Sequence, residues 1–515
     1  MAIECISFKE TGYFSELICD YLEQTDSLEA FYSRFPNLNN FEKQIENKQS
    51  AFSSKSRAVL VNELQEQYCD IDASKGTLLN IEALLKDNTF TITTGHQLNL
   101  FTGPLYFLYK IVSAINLSKE LKQKFPQYNF VPIYWMATED HDFDEINYFN
   151  FQSRKVQWTR DAHGAVGELS TNGLNDVYQA FSKRLGLGKN AEKLRDLFQS
   201  AYVKHDNLTD ATRFLANALF SDYGLVILDA NVPKLKRLFI PFMEDELENQ
   251  TSFSLVNETS KKLESLKSSY KAQVNPREIN LFYLDQDLRE RIVYEDERYK
   301  VLNTSMSWTR TEIKKVLLEH PEKFSPNVIM RPLYQEVVLP NLCYIGGGGE
   351  LAYWLQLKTY FDAMNVVFPI LLLRNSVLIK TKKQLEKQEK LALNNEDLFL
   401  NQDALIQKKT QALSAIDIDF SKQKAHLKQQ FKGLYNIAEQ TDKSFVGAVA
   451  AQERKQIKGL EHLEKRLLKA QKRKLGVQLE KVSVLQNELF PNQSLQERNI
   501  NFSELYLEFG DQLIP

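Results

Sequence analysis

At 515 residues the chain is too long for one ordinary domain, and a hydrophobic content of 43% supplies ample material for a large core. A formal net charge of −3 excludes bulk electrostatic attraction to nucleic acid or to an anionic membrane surface. Four scattered cysteines, an N-terminus "MAIECISFKETGYF" without an apolar leader, and no apolar run approaching ~18 residues predict a reduced, cytoplasmic protein with no membrane span.

In chain order, the first clear strand is "TFTIT" at 90–94, rich in β-branched and aromatic residues. Gly95 ends it. The stretch "TTGHQLNLFTGP", 93–104, crowds a glycine, a histidine and a Gly-Pro pair where a Rossmann-type sheet passes its first strand to its first helix. "GPLYFLYKIVSAINLSKELKQKF" predicts that helix, with Pro104 suited to its first turn and Leu105, Leu108, Val112, Ile115 and Leu117 recurring at helical spacing. "NFVPIYWMAT" follows as a second strand. Strand, helix and strand within about 50 residues form a βαβ unit, which requires a parallel sheet and an α/β fold. "YGLVILDAN" (223–231) and "VVFPILLLRNSV" (366–377) predict further buried strands. Between them, insertions at about 150–220 and 230–330 alternate short strands such as "INLFYLD" with polar helices.

The composition changes near residue 378, dividing a core of 1–377 from a helical domain of 378–490. Leu378, Leu385, Ala392, Phe399, Ile406 and Leu413 keep a seven-residue step, and Leu468, Leu475, Val482 and Leu489 keep it again. Sustained heptads with charged flanks predict a coiled coil. "AIDIDF" at 415–420 interrupts the first arm, so the chain is expected to double back as an antiparallel helical hairpin. An apolar seam longer than one hairpin covers predicts a homodimer through the coil. The lysine-rich "KRLLKAQKRK" is read as its solvated face, not as a nucleic-acid site. After Pro491 the composition becomes mixed, and 491–515 is expected to return to the core.

The densest polar cluster, Glu139-Asp140-His141-Asp142-Phe143-Asp144-Glu145, directly follows the second strand. Ligands of parallel α/β sheets bind outside the carboxyl ends of strands, so Glu139, His141, Asp142 and Asp144 are candidate catalytic groups and Asp140 a candidate binding group. Carboxylates beside a histidine can anchor an amine, act as a general base, or hold a divalent metal. A metal-dependent hydrolase using His141, Asp142 and Asp144 is therefore the alternative reading. If the acids instead only cap the next helix, Asp142→Asn should leave activity unchanged. Gly95, His96, Gln97, Thr102 and Gly103 lie in the neighbouring turn. Further along, Gly346, Gly347, Gly348 and Gly349 precede a helix starting near Glu350, where backbone N–H groups can approach an anion. Arg331 and Arg374 lie near strand ends and suit carboxylates.

Taken together, "TGHQLNLFTGPLY", "PIYWMATEDHDFDEIN", "SPNVIMRPLYQEVVLPNLCYIGGGGELAYW" and "LQERNINF" resemble the bacillithiol biosynthesis cysteine-adding enzymes over most of the chain. The resemblance implies a Rossmann-like nucleotidyltransferase core, akin to class I aminoacyl-tRNA synthetases, with connecting-peptide insertions and a dimerising antiparallel coiled coil. It implies a carbon–nitrogen ligase joining L-cysteine to the amine of glucosaminyl-malate, with ATP activating the carboxyl and no tightly bound metal. It adds Gln496 and Arg498 of the tail to the binding candidates. The chain has no H-x-G-H around His96 and no K-M-S-K-S, so adenylation follows from fold analogy alone.

Overall fold

The computed structural model describes residues 3–514, and the chain separates into two compact units. The first comprises Phe14–Val377 and the chain from Glu497 onward; the second comprises the residues up to Tyr13 and Leu378–Gln496.

A five-stranded parallel sheet organises the first unit. Its strands are β1 (Thr89–His96), β2 (Asn129–Met136), β3 (Val226–Asp229), β4 (Asn341–Gly346) and β5 (Ile370–Leu373), in the order β5-β4-β1-β2-β3. β1 and β4 are buried at every position, so neither alternates between buried and exposed residues. That is the pattern of a strand covered on both faces. Helix α1 (Tyr106–Lys124) packs on β1 and β2, and its Ala114, Leu117 and Leu121 meet Phe90, Ile92, Leu342 and Ile345 in one core. Each large side chain sealed there contributes on the order of 2 kcal/mol of transfer free energy. Helices α2 (Pro233–Asn249), α3 (Arg331–Val338) and α4 (Gly348–Leu355) follow β3 or flank β4.

Strand order reverses between β1 and β4: β2 and β3 lie on one side of β1, β4 and β5 on the other. Such a switch point leaves a crevice at the carboxyl ends of the two diverging strands. The sequence pattern missed β4, a central strand, because its six residues run straight into four glycines.

The 150–330 insertions hold helices and a second, antiparallel sheet. Its five strands are ordered Phe324–Pro326, Leu281–Asp285, Leu288–Glu295, Arg298–Val301 and Ser307–Trp308. We call this sheet the antiparallel lobe.

The second unit is a helical coiled-coil domain. Helices α5 (Gln402–Leu413), α6 (Ser421–Ala438), α7 (Lys443–Lys474) and α8 (Gly476–Leu489) form two antiparallel arms, α5 and α6 against α7 and α8. Phe431, Ala438 and Val449 close the seam near the tip. The reversal falls between α6 and α7, where the Asp442 carboxylate accepts from the Ser444 and Phe445 N–H groups and caps α7. The interruption at 415–420 is instead a break within the ascending arm. The seven-residue step from Leu378 to Leu413 does not form one seam, because Ala392 adopts φ +47° and the segment splits into three short helices. Two domain boundaries also differ from expectation. Residues up to Tyr13 belong to the coiled-coil unit, with the Tyr13 ring stacked on Phe490 at 6.1 Å. The tail rejoins the core at Glu497 rather than at 491. Among the described residues no helix is long and apolar enough to cross a membrane.

Candidate active site at the sheet switch point

A cavity of about 740 Å³ opens at the carboxyl ends of β1, β2 and β4, and the antiparallel lobe supplies its far wall. Its size is that of a small-molecule site.

β1 delivers Gly95 and His96. The His96 ring lies between Tyr106 and Phe107, with centroids 5.4 and 5.0 Å away. Nδ1 is 2.8 Å from the Gln97 carbonyl oxygen, which can only accept, so Nδ1 carries the proton and Nε2 is a buried acceptor with no partner. Burial, helped by the Lys110 charge, pushes the imidazole down to about 3, so it is neutral at pH 7. Lys110 of α1 donates 2.8 Å to the Gly95 carbonyl and pairs with Glu350 at 2.6 Å. Burial would raise the Glu350 carboxyl, but Lys110 and the Gly347 N–H hold it below its usual range. Tyr344 also donates to Glu350, at 2.7 Å. Glu350 therefore caps α4 and neutralises Lys110, and Gly347, Gly348 and Gly349 line the cavity above it.

β2 delivers the acidic cluster, and the structure separates its members. Glu139 pairs with the fully buried Lys236 at 2.6 Å, so its charge is already matched. Asp140 accepts from Gln97 Nε2 and from the His141 N–H, both at 2.9 Å, with Arg289 of the lobe at 3.8 Å. Burial alone would raise the Asp140 carboxyl, yet these donors hold it well below the carboxylate range. Arg289 donates 2.6 Å to His141 Nδ1, so that nitrogen is an acceptor already in use and His141 is no free base. Its Nε2 faces Asp142 at 3.8 Å. Asp142 stands at the N-cap position of the short helix Phe143–Ile146 but makes no capping hydrogen bond, and its side chain is 53% exposed. It is the free carboxylate of the site.

Arg331 opens α3 and bonds only neutral groups, Gln335 Oε1 at 3.2 Å and the Tyr353 hydroxyl at 3.0 Å. Arg374, at the end of β5, is locked to Glu497 at 2.7 Å with both side chains buried. That pair seats the returning tail, and the exposed Arg498 lines the cavity with no side-chain partner among the described residues. The cavity thus gathers Gly95, His96, Gln97, Glu139, Asp140, His141, Asp142, Arg331, the Gly347–Gly349 turn, Glu350 and Arg498.

Five expected residues lie elsewhere. Thr102 and Gly103 form a structural corner: Asn501 donates 2.7 Å to the Phe101 and Gly103 carbonyls, and the Phe101 ring is buried among Phe149, Phe181, Phe198 and Phe502. The corner cannot cradle a phosphate, because its N–H groups are taken: Phe101 donates to the Tyr202 hydroxyl, Gly103 to the Leu100 carbonyl and Leu105 to the Ile500 carbonyl. Asp144 is exposed and serves Asn147 at 3.4 Å. Gly346 is a packing glycine, whose added Cβ would meet Tyr344 at 2.9 Å. Gln496 belongs to the coiled-coil unit, where its amide both accepts from the Ile379 N–H and donates to the Ile379 carbonyl. Among the described residues only Asp140, His141 and Asp142 group as metal-type ligands, and the Arg289 guanidinium already fills the place a cation would take between two of them. The set does not fit a metal.

Sequence reading passed over Lys110, Lys236, Arg289 and Arg291. Lys110 and Lys236 look like ordinary helix lysines. The two lobe arginines carry a readable signal, two residues apart in "LRERIVYE", but no sequence feature assigns that strand to the cavity.

Comparison with known proteins agrees with this architecture. Residues 1–375 match the family described as "Bacillithiol biosynthesis BshC, N-terminal Rossmann-like domain", and residues 377–515 match "Bacillithiol biosynthesis BshC, C-terminal coiled-coil domain". The chain belongs to the bacillithiol biosynthesis BshC family. It is 60% identical to a protein of Flavobacterium johnsoniae over 100% of this chain and 97% of the relative, and 56% identical to one of Christiangramia forsetii over 100% and 96%. A Bacillus cereus relative is 29% identical over 88% of this chain and 86% of its own length. All three are named "Putative cysteine ligase BshC". For this family member, Glu139–Asp142 after β2 and the Gly347–Gly349 turn after β4 fall within one site, on the strand ends either side of β1.

Proposed function

We propose that the chain is a ligase joining the carboxyl carbon of L-cysteine to the amine of glucosaminyl-malate. One observation carries the reading: at the switch point, cations without an anionic partner face a single free carboxylate in one cavity. The two malate carboxylates suit Arg331 and Arg498, since guanidinium groups bind carboxylates through paired hydrogen bonds. The sugar ammonium suits Asp142. As the amine nitrogen bonds to the activated carboxyl carbon, that carbon's bond to the oxygen bearing the activating group breaks, and the group departs with that oxygen. The nitrogen gives up a proton, which Asp142 is free to take. Neutral His96 offers Nε2 as an acceptor, and Asp140 keeps Gln97 and Arg289 in place around it. The cationic lining and the volume of about 740 Å³ fit a nucleotide, with Gly347–Gly349 the residues that would hold it. ATP, when bound, supplies activation of the cysteine carboxyl.

We further propose that the enzyme works in the cytoplasm as a homodimer paired through its coiled coil. The ligase reading is tested in a strain lacking the gene, which should accumulate glucosaminyl-malate. A wild-type copy should clear the accumulation and an Arg331→Ala copy should not. A deletion strain with unchanged glucosaminyl-malate would contradict the reading.

A further inference from the structure

The wall of the cavity opposite the sheet carries charge that the acidic cluster does not neutralise. In the lobe strand Leu288–Glu295, alternate residues point to one face, so Arg289 and Arg291 share a face and Glu290 takes the other. Glu290 there accepts from Asn303 at 3.2 Å and is turned away from both arginines. Strand pairing sets Phe282 directly opposite Arg291, and the Arg289 guanidinium lies 4.1 Å above the Phe282 ring. All three line the cavity. Arg277, just ahead of the strand Leu281–Asp285, lines it too, and Arg277 and Arg291 meet again in an adjoining cavity of about 250 Å³.

The three arginines differ in what they already hold. Arg289 is committed to His141 and Asp140. Neither Arg277 nor Arg291 has a side-chain hydrogen bond or ion pair among the described residues, and Arg291 Nε is buried without a partner. Withdrawing the Arg291 guanidinium from water without an anion is unfavourable, and a second cation beside it, the exposed Arg277, repels it. An arriving anionic group relieves both costs.

We propose that Arg277 and Arg291 form an anion subsite on the antiparallel lobe, which holds a phosphate or carboxylate group of the ligand occupying the cavity. Guanidinium forks recognise either group through the same paired N–H donors. Arg331 and Arg498 line the same cavity from other elements, so a ligand that reaches both pairs carries anionic groups at separate points. The inference rests on the cavity being the substrate site.

The test uses the full-length protein and two probes, inorganic tripolyphosphate and L-malate, titrated by calorimetry into wild type, Arg277→Ala, Arg291→Ala and Arg291→Lys. Loss of charge-assisted hydrogen bonds should weaken one probe about tenfold or more in both alanine variants. Arg291→Lys should recover part of that loss, and melting temperatures should stay at the wild-type value for the exposed Arg277→Ala. Weakened tripolyphosphate with unchanged malate assigns the subsite to phosphate; the reverse assigns it to carboxylate. Wild-type affinity for both probes in Arg277→Ala, or a wild-type protein that binds neither, overturns the subsite. Weakened probe binding in a protein that makes no amide would instead keep the subsite and remove the ligase reading. Amide synthesis at wild-type KM by Arg277→Ala would do the opposite.

Discussion

Asp142 and His96 show how neighbours divide roles among similar residues. Of the three acids lining the cavity after β2, Glu139 is matched by Lys236 and Asp140 by Gln97 and Arg289, so Asp142 is the unmatched one, and the proposed ligase reading gives it the substrate amine. Asp142→Asn keeps shape and hydrogen-bonding capacity but removes the base. Turnover should fall at least ~100-fold, the scale of a lost acid–base contribution. The melting temperature should not move, because the side chain makes no cap. Near-normal turnover would remove Asp142 from the chemistry. His96 makes a prediction about stability. Its imidazole sits at about 3 in the fold against an ordinary value of 6.5, so the unfolded chain binds the extra proton first. Its contribution is fully present above pH 6.5, shrinks as pH falls, and is gone by about pH 3. His96→Gln should flatten the dependence of melting temperature on pH between about 6.5 and 5, above the range where most carboxylates titrate. An unchanged slope would contradict the buried, neutral assignment.

The corner between β1 and α1 is held by the tail rather than by its own sequence. Phe101 and Thr102 adopt φ of +48° and +68°, where side chains other than glycine are strained, and Gly103 at +61° has no room for a Cβ beside Asn99. The buried Phe101 ring and the two Asn501 hydrogen bonds offset that strain. Asn501→Ala leaves two carbonyls unpaired and should cost about 2–4 kcal/mol, read as a lower denaturant midpoint. A loss below about 0.5 kcal/mol, the scale of a neutral surface change, would show the corner to be self-sufficient. This contact explains why sequence alone could place "TTGHQLNLFTGP" but not interpret it. Gly95 and His96 end a strand, and a strand end in a parallel sheet is legible as site. Thr102 and Gly103 look equally special, yet their partner lies some 400 positions away. Runs of apolar and β-branched residues betrayed β1, β2, β3 and β5. β4 hid behind its glycines, and with it the switch point. The cluster after β2 announced itself by charge, but its division into matched and free acids depends on Lys236 and Arg289, which reach it from other elements. The heptads revealed the coil but could not register the positive φ at Ala392 that breaks the first seam, and the interruption at 415–420 reads as the reversal, which falls between α6 and α7.

At the scale of the whole chain, the coiled-coil unit leaves much of its apolar surface uncovered. Leu434, Ile437, Phe445 and Leu463 of α6 and α7 are all about half exposed, although Phe431, Ala438 and Val449 close the seam between the arms. Two-fold pairing is the common way to cover such a stripe. Sedimentation should therefore give a dimer, and Ile437→Glu with Phe445→Glu should release monomers whose core still melts cooperatively. A wild-type monomer at micromolar concentration would contradict the pairing. In the proposed function, amide formation between cysteine and an amino sugar takes place in one cavity at the β1–β4 switch point. The most direct measurement is mass spectrometry of purified protein incubated with L-cysteine, glucosaminyl-malate and ATP. The account predicts a product equal in mass to the two substrates less one water, formed by wild type, lost on omission of ATP and strongly reduced in Asp142→Asn. Its absence with all three components present, or its undiminished formation by Asp142→Asn, would contradict the account.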